Sequence, residues 1–211
     1  MSFDFVALDV ETANAFRGSI CQVGMALVTE GRVTRTLTML VRPPVGRDNF
    51  DANHVAVHGI TAAQVEHMPR FIAQWPVIEG LLRGRPVVAH NANFEMGAIR
   101  EATSYCGFDW PELDVACSLV LARQRFPDLD RHTLDACCAA AGVSLTNHHD
   151  ALSDAVACAE LTLQMARSVQ ADDLDDLLTA SGVAWGRLSE SAYVPCHSVG
   201  PDVGVAVPRL F

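Results

Sequence analysis

Residues 4–12 read Asp-Phe-Val-Ala-Leu-Asp-Val-Glu-Thr, and the parsing of this stretch decides the fold. Residues 4–10 carry the apolar run typical of a strand buried inside a sheet. Asp9 and Glu11 then place two carboxylates one residue apart at the end of that run. Alternate residues of a strand point to one face, so both acids project together from the sheet edge. Taken alone, such a pair is either a solvated loop feature or a pair of ligands.

Working outward, residues 20–29 and 33–42 are rich in Val, Thr, Ile and Leu, with Glu30-Gly31-Arg32 between them as a hairpin turn. Three neighbouring strands follow from this. A fourth is expected at residues 86–90, after a helix from about Phe71 to Leu82, and a further helix opens after Asn91. Strand and then helix recur around Leu113-Asp114-Val115 and Ala116–Arg125. Helices are expected over about 133–141, 151–168 and 172–180, with Gly142 and Gly182 as C-terminal stops. Thr61 followed by Gln64 reads as a capping box on a short helix that ends before Pro69. A meander followed by βα units is an α/β class protein, a mixed sheet flanked by helices. The domain is expected over residues 1–183. From Ala184 the composition shifts to Ser, Pro, Gly and Val, and 184–211 is expected to be an irregular C-terminal arm.

The chain's 211 residues, half of them apolar, suit one domain with a substantial core. No stretch approaches the ~18 apolar residues of a membrane span, and the N-terminus lacks the basic head and cleavage site of a secretory signal. No membrane partner and a cytoplasmic location are therefore expected. The seven cysteines show no Cys-x-x-Cys spacing and sit in apolar surroundings, so they read as buried free thiols without a disulfide or zinc site. All fifteen basic residues are Arg, and the net charge is −10. That balance argues against holding nucleic acid on a broad basic surface, because such binding is dominated by cations facing phosphates. Local cations must do that work. The acidic stretch Asp172-Asp-Leu-Asp-Asp176 reads as a solvated helix face or an interaction feature away from substrate.

Two more segments carry acids. His90-Asn-Ala-Asn-Phe-Glu95 sits at a strand-to-helix junction and puts Glu95 in a first helical turn, where the helix dipole tolerates negative charge. His149-Asp-Ala-Leu-Ser-Asp-Ala155 begins the long helix, with Asp154 about one turn beyond His149. Four carboxylates brought close raise one another's pKa and destabilise the fold unless cations neutralise them. All-oxygen ligands favour Mg²⁺ or Mn²⁺ over zinc.

In order and spacing these segments resemble the three motifs of the DEDDh 3′–5′ exonucleases, the group that includes proofreading epsilon subunits of bacterial replicative polymerases and ribonuclease T. Phe5-Val-Ala-Leu-Asp-Val-Glu-Thr12 is similar to the first motif, Val88-Ala-His-Asn-Ala-Asn-Phe-Glu95 to the second and His149–Ala155 to the third. Cys21-Gln-Val-Gly24, His58-Gly-Ile-Thr61 and Leu113-Asp-Val115 also look like the family's. The resemblance runs from about residue 4 to 168. It implies a ribonuclease H-like fold with a five-stranded mixed sheet. It also implies removal of nucleoside 5′-monophosphates from a 3′ end of single-stranded or mismatched DNA, or trimming of RNA, with two divalent cations. By the same carry-over Asp9, Glu11, Glu95 and Asp154 hold the metals, Asp9 bridging both. His149 acts as general base, a role to which an imidazole side chain is suited. His148 is its competitor, one residue out of the family's spacing.

One departure stands out. The family's second motif ends in Phe-Asp, whereas this chain has Phe94-Glu95, which carries the carboxylate one methylene further from the backbone. Thr12, Asn14 and Asn91 are candidates for holding the terminal nucleotide, and Phe94 or Phe16 for stacking on a base. His58 is a candidate at the pocket edge. Ordinary packing or turn formation is the competing reading for each. The expected partner is a single-stranded 3′ end. The C-terminal Pro208-Arg-Leu-Phe211 resembles the Leu-Phe ending of bacterial clamp-binding peptides, which adds a DNA polymerase or sliding clamp as partner and, as an alternative function, a catalytically weak interaction subunit that binds one of them.

Overall fold

A computed structural model describes residues 3–199. It opens on an antiparallel meander of β1 (Phe5–Thr12), β2 (Ile20–Thr29) and β3 (Arg32–Leu40). The β2–β3 turn is tight because Glu30 and Gly31 both take left-handed φ values, 50° and 73°. A two-residue hairpin needs this to match the twist of its strands. Three helices follow, α1 (Ala52–His58), α2 (Ala62–Val65) and α3 (Phe71–Leu82). The capping box of Thr61 and Gln64 forms as expected at the start of α2. Helix α1 has no buried residue and hence no apolar stripe to betray it in the sequence.

The βα units then run β4 (Val87–Ala89), α4 (Ala92–Cys106), β5 (Leu113–Cys117) and α5 (Ser118–Arg125). After them come α6 (Leu134–Ala141), α7 (Ala151–Ser168) and α8 (Leu174–Ala180). Four short strands close the described chain, β6 (Val183–Ala184), β7 (Gly186–Leu188), β8 (Tyr193–Val194) and β9 (His197–Ser198).

The main sheet has the order β3-β2-β1-β4-β5-β7-β8, with β4 parallel to β1 and β5 parallel to β4. The five expected strands are all present. The sheet has seven, however, because β7 pairs antiparallel with β5 and β8 with β7. The arm expected to be irregular from residue 184 is thus strand-forming through Ser198. An uncovered β5 would leave a row of unpaired backbone groups, and β7 satisfies them. Strands of two or three residues are too short to show a period in sequence. Residues 200–211, including the clamp-like Pro208–Phe211, lie outside the described residues.

Strand β1 is buried on both faces from Phe5 to Leu8, and only Asp9 and Glu11 are partly open. Val6 pairs with Val87 and Ala7 with Val88, so continuing this parallel register brings Asp9 level with His90 at the C-terminal edge of the sheet. The third segment reaches the same edge through a backbone contact. Asp9 lies opposite Gly24 of β2, and a Cβ on Gly24 would stand 2.0 Å from the carbonyl oxygen of Ala151, the first residue of α7. The neighbouring Gln22 completes the clamp. Its amide donates to Asp150 Oδ2 at 2.9 Å and accepts from the Ala151 N–H at 3.2 Å.

Because that approach is backbone on backbone, no rotamer change relieves a larger residue at position 24. Gly24→Ala is expected to cost about 3 kcal/mol or more, at or above the upper end for overpacked sites. Denaturant unfolding of the two proteins measures it, and an unchanged midpoint would show that α7 does not rest on β2 in this way.

Candidate active site

Each acidic segment reaches the cleft through a specific local device. Asp9 and Glu11 come from strand alternation at the end of β1. Glu95 follows the β4–α4 junction, where Asn91 caps the helix with φ 75° and its carbonyl accepts from the Phe94 N–H at 2.8 Å. Asn tolerates this left-handed conformation better than most residues. Asp154 follows a similar break, with His149 at φ 68° and Asp150 as N-cap accepting from the Ser153 N–H at 3.0 Å. A non-glycine residue held left-handed stores strain and is found where the surroundings demand it.

The three segments converge. Asp9, Glu11 and Asp154 each offer an oxygen within 4.8 Å of the others. Glu95 is not part of that tightest grouping, but it lines the same cleft and is 3% exposed. Its Oε2 is buried without a hydrogen-bond partner among the described residues. Burial, followed by Glu95, Glu11, Asp154 and Asp150, raises the Asp9 carboxyl well above the usual range. Glu11 is pushed up to about 8 by burial and then by Asp154 and Asp150. Burial, with Glu11 adding to it, raises Glu95 well above its ordinary value. An orphaned buried oxygen, a crowd of like charges and an all-oxygen donor set fit a hard divalent cation.

Both histidines of the third segment face this cleft. The His148 Nδ1–H donates to the Asp154 carboxylate, 3.0 Å from each oxygen. His149 contributes its backbone N–H to Asp154 Oδ2 at 3.0 Å, and its ring stacks on His148 with centroids 3.8 Å apart. The resemblance singled out His149; the side-chain contact to Asp154 is made by His148.

The cleft has a volume of about 640 Å³ and a far wall that the sequence reading did not assign, formed by Arg123, Arg131 and His132 among others. His90 ties that wall down. Its Nε2–H donates to the His132 carbonyl at 3.0 Å, while Nδ1 accepts from the Ser118 hydroxyl at 2.9 Å. Burial lowers the His90 pKa, which keeps the ring neutral as this pattern requires. The His132 ring in turn donates to the Phe126 carbonyl at 2.9 Å. His90 stands next to Asn91 in the second motif, the one sequence signal that marked it.

Of the substrate candidates, Asn91 and Phe94 line the cleft. Thr12, Asn14 and His58 do not. Asn14 spends its side chain on the loop after β1, donating to the Asn49 carbonyl at 2.7 Å and accepting from the Phe16 N–H at 3.0 Å. Thr12 is buried, and its carbonyl accepts from His54 at 2.8 Å and His58 at 3.2 Å. The other His58 nitrogen accepts from the Ile60 N–H at 3.0 Å, so both are occupied by backbone. Phe16 lies in a separate groove.

Comparison with known proteins places this geometry. A DNA polymerase III epsilon-like protein of Rhodobacter capsulatus is 32% identical over 179 residues, 81% of this chain and 25% of that protein. A PolC-type DNA polymerase III of Caldanaerobacter subterraneus is 26% identical over 198 residues, 93% of this chain and 14% of that protein. The chain thus spans a quarter or less of these curated relatives. Exonuclease X, solved with 5′-overhanging duplex DNA, superposes with a TM-score of 0.66 at 22% identity over 84% of this chain and 99% of the other, which establishes the ribonuclease H-like fold. Residues 6–162 match the RNase T exonuclease family, a span that contains all four clustered acids and both histidines, and the chain belongs to that family.

Proposed function

We propose that the chain is a 3′–5′ exonuclease that hydrolyses the terminal phosphodiester of single-stranded or mismatched DNA and releases nucleoside 5′-monophosphates. The observation that carries this reading is the meeting of Asp9, Glu11 and Asp154 beside the buried, unpartnered Glu95 in one cleft. These four acids would hold two divalent cations, Mg²⁺ or Mn²⁺. Such cations supply Lewis-acid stabilisation of phosphate charge and make water a better nucleophile. Phe94 and Asn91 contact the terminal nucleotide from the same side as Glu95. His149, exposed at the cleft and with no side-chain hydrogen bond among the described residues, takes the proton from the attacking water. His148 orients Asp154 beside it.

DNA is favoured over RNA by the names of the relatives, and the 2′-hydroxyl separates the two readings. Association with a DNA polymerase rests on the same names, since the matched stretch is a small part of PolC-type polymerases, whereas a sliding clamp is suggested by the Leu-Phe ending of the sequence. A cytoplasmic location accords with seven free cysteines, six of them buried. Among the described residues no helix is long and apolar enough to cross a membrane.

The direct test is digestion of end-labelled single-stranded DNA, duplex DNA and RNA with Mg²⁺, Mn²⁺ or a chelator. A ladder shortening from the 3′ end with metal, and none with chelator, is expected; no cleavage with either ion ends the proposal. His149→Ala is expected to lower kcat by about 10²- to 10⁴-fold with metal affinity nearly kept, whereas Asp9→Ala impairs both. A full effect in His148→Ala with none in His149→Ala would exchange the two roles.

Glu95→Asp tests the extra methylene. Misplacement by about 1 Å can cost on the order of 10²-fold. With Glu95 seated in its own buried position, the shorter acid is expected to lower turnover; a gain in turnover would mean that the native site is degraded.

The raised carboxyls also set a pH dependence. The folded chain keeps protons that the unfolded chain releases, so its stability falls as pH rises from the ordinary Glu value of 4.5 toward about 8. Asp48, Asp135 and Asp150, which are lowered, act the other way and only in acid. In chelator the melting temperature is therefore expected to drop between pH 5 and pH 8, and Mg²⁺ to restore it at pH 8. A flat profile that ignores Mg²⁺ would contradict the crowding of acids.

A further inference from the structure

On the outer face of α4, away from the metal cleft, lies a groove of about 410 Å³ lined by Phe16, Arg17, Gly97, Arg100, Tyr105 and Trp110 with their neighbours. The molecule carries a net charge of −10, yet Arg17, Arg47 and Arg100 gather here against one carboxylate, Glu101. None of the three makes a salt bridge or a side-chain hydrogen bond among the described residues, while Arg32, Arg42, Arg70, Arg83 and Arg187 are all paired with acids. The Nε of Arg100 is buried without any partner. Aromatic rings interleave with these cations. The Arg47 guanidinium sits 4.8 Å from the Phe16 ring and 5.8 Å from Tyr105, and that of Arg100 sits 4.2 Å from Trp110 and 5.9 Å from Tyr193. Tyr105 is 46% exposed, its ring 5.5 Å from that of Phe16 and its hydroxyl donating to the Val45 carbonyl at 2.9 Å.

The groove and the cleft are separate, but both are lined by α4, the cleft by Phe94 and Glu95 and the groove from Gly97 onward. Asn93, Gly97, Arg100 and Ser104 recur at helical spacing on one face of the helix that also supplies Phe94 and Glu95. From Phe94 to Tyr105 that helix advances about 16 Å. Tyr193 packs along this face of α4, its hydroxyl donating to Asn93 Oδ1 at 3.0 Å while its ring neighbours Arg100. The far side is the loop that leaves the first motif, pressed onto α4 so closely that a Cβ on Gly97 would meet the Arg17 guanidinium at 2.9 Å.

Unpaired arginines beside partly open rings, on the helix that also serves the cleft, match the chemistry of a single-stranded polynucleotide, with phosphates on the cations and bases on the rings. We propose that this groove binds the strand 5′ of the scissile nucleotide, so that the enzyme prefers single strands several nucleotides long. The proposal rests on the exonuclease reading in that the strand's 3′ end lies in the cleft. It also accounts for how an acidic protein holds nucleic acid, and it gives Phe16 a base to stack on outside the metal site.

The test uses the full chain with Ca²⁺ in place of the activating ions and a 5′-fluorescein oligothymidylate of about 15 nucleotides, followed by anisotropy across a salt series. Arg17→Ala/Arg47→Ala is expected to weaken binding at least tenfold. It should also flatten the plot of log affinity against log salt by about 1.4, two phosphate contacts at about 0.7 each. Tyr105→Ala is expected to weaken binding with the salt slope kept. Unchanged affinity and slope in the double variant, with its melting temperature also unchanged, overturns the groove, as does wild-type protein that binds no single strand. Hydrolysis of the nitrophenyl ester of thymidine 5′-phosphate, which has no upstream strand, reads the metal cleft separately. Wild-type protein that binds the oligonucleotide but cleaves neither substrate sinks the nuclease reading and leaves the groove standing. A double variant that loses long-strand cleavage and ester hydrolysis in equal proportion counts against it.

Discussion

Mutual repulsion among acids drawn from three remote parts of the chain is the constraint around which this molecule is organised. Asp9 is half-buried, with Glu95, Glu11 and Asp154 as its chief charged neighbours. Left to themselves these groups would separate or take up protons, because burial and like charge both penalise the ionised form. The fold must therefore hold them by force from elsewhere. That force comes from an apolar strand, β1, whose first four residues are wholly buried and cannot move without opening the core.

The second and third segments are fixed by geometry rather than by attraction. Glu95 and Asp154 each occupy the fourth position of a helix, and each helix begins just after a residue held left-handed, Asn91 in one case and His149 in the other. Both helices thus direct their N-terminal ends at the acids, and the partial positive charge there offsets some of the crowding. Helix α7 reaches its place only because Gly24 carries no side chain and Gln22 meets the first amide of the helix and the Asp150 cap together. One glycine and one amide on β2 thereby decide where the third acid stands.

Charge outside the cleft is distributed to the same end. The arginines that pair with acids brace loops and strand edges, as Arg187 does with Asp114 and Glu112 at the added strand β7. Among the arginines without an acid partner, Arg17, Arg47 and Arg100 lie beside rings at the α4 groove, and Arg123 and Arg131 line the cleft wall that His90 holds through the His132 carbonyl. An acidic protein is in this way locally cationic where a polyanion would run.

Long periodic elements and spaced motifs were legible from the amino acids alone. The apolar run of β1, the hairpin at Glu30-Gly31, the extents of α3 and α7 and the four acids can all be read without coordinates, because each depends on neighbours a few residues away. Helix α1 escaped because it buries nothing, and β7 and β8 because two or three residues carry no period. Other outcomes belonged to tertiary structure alone. Among them are the exclusion of Thr12, Asn14 and His58 from the cleft, the contact of His148 with Asp154, the His90 brace and the meeting of Phe16 with Tyr105 and Arg47. Each depends on which distant segments share a surface, and a chain specifies that only when its backbone packs, as α7 does against a single glycine of β2.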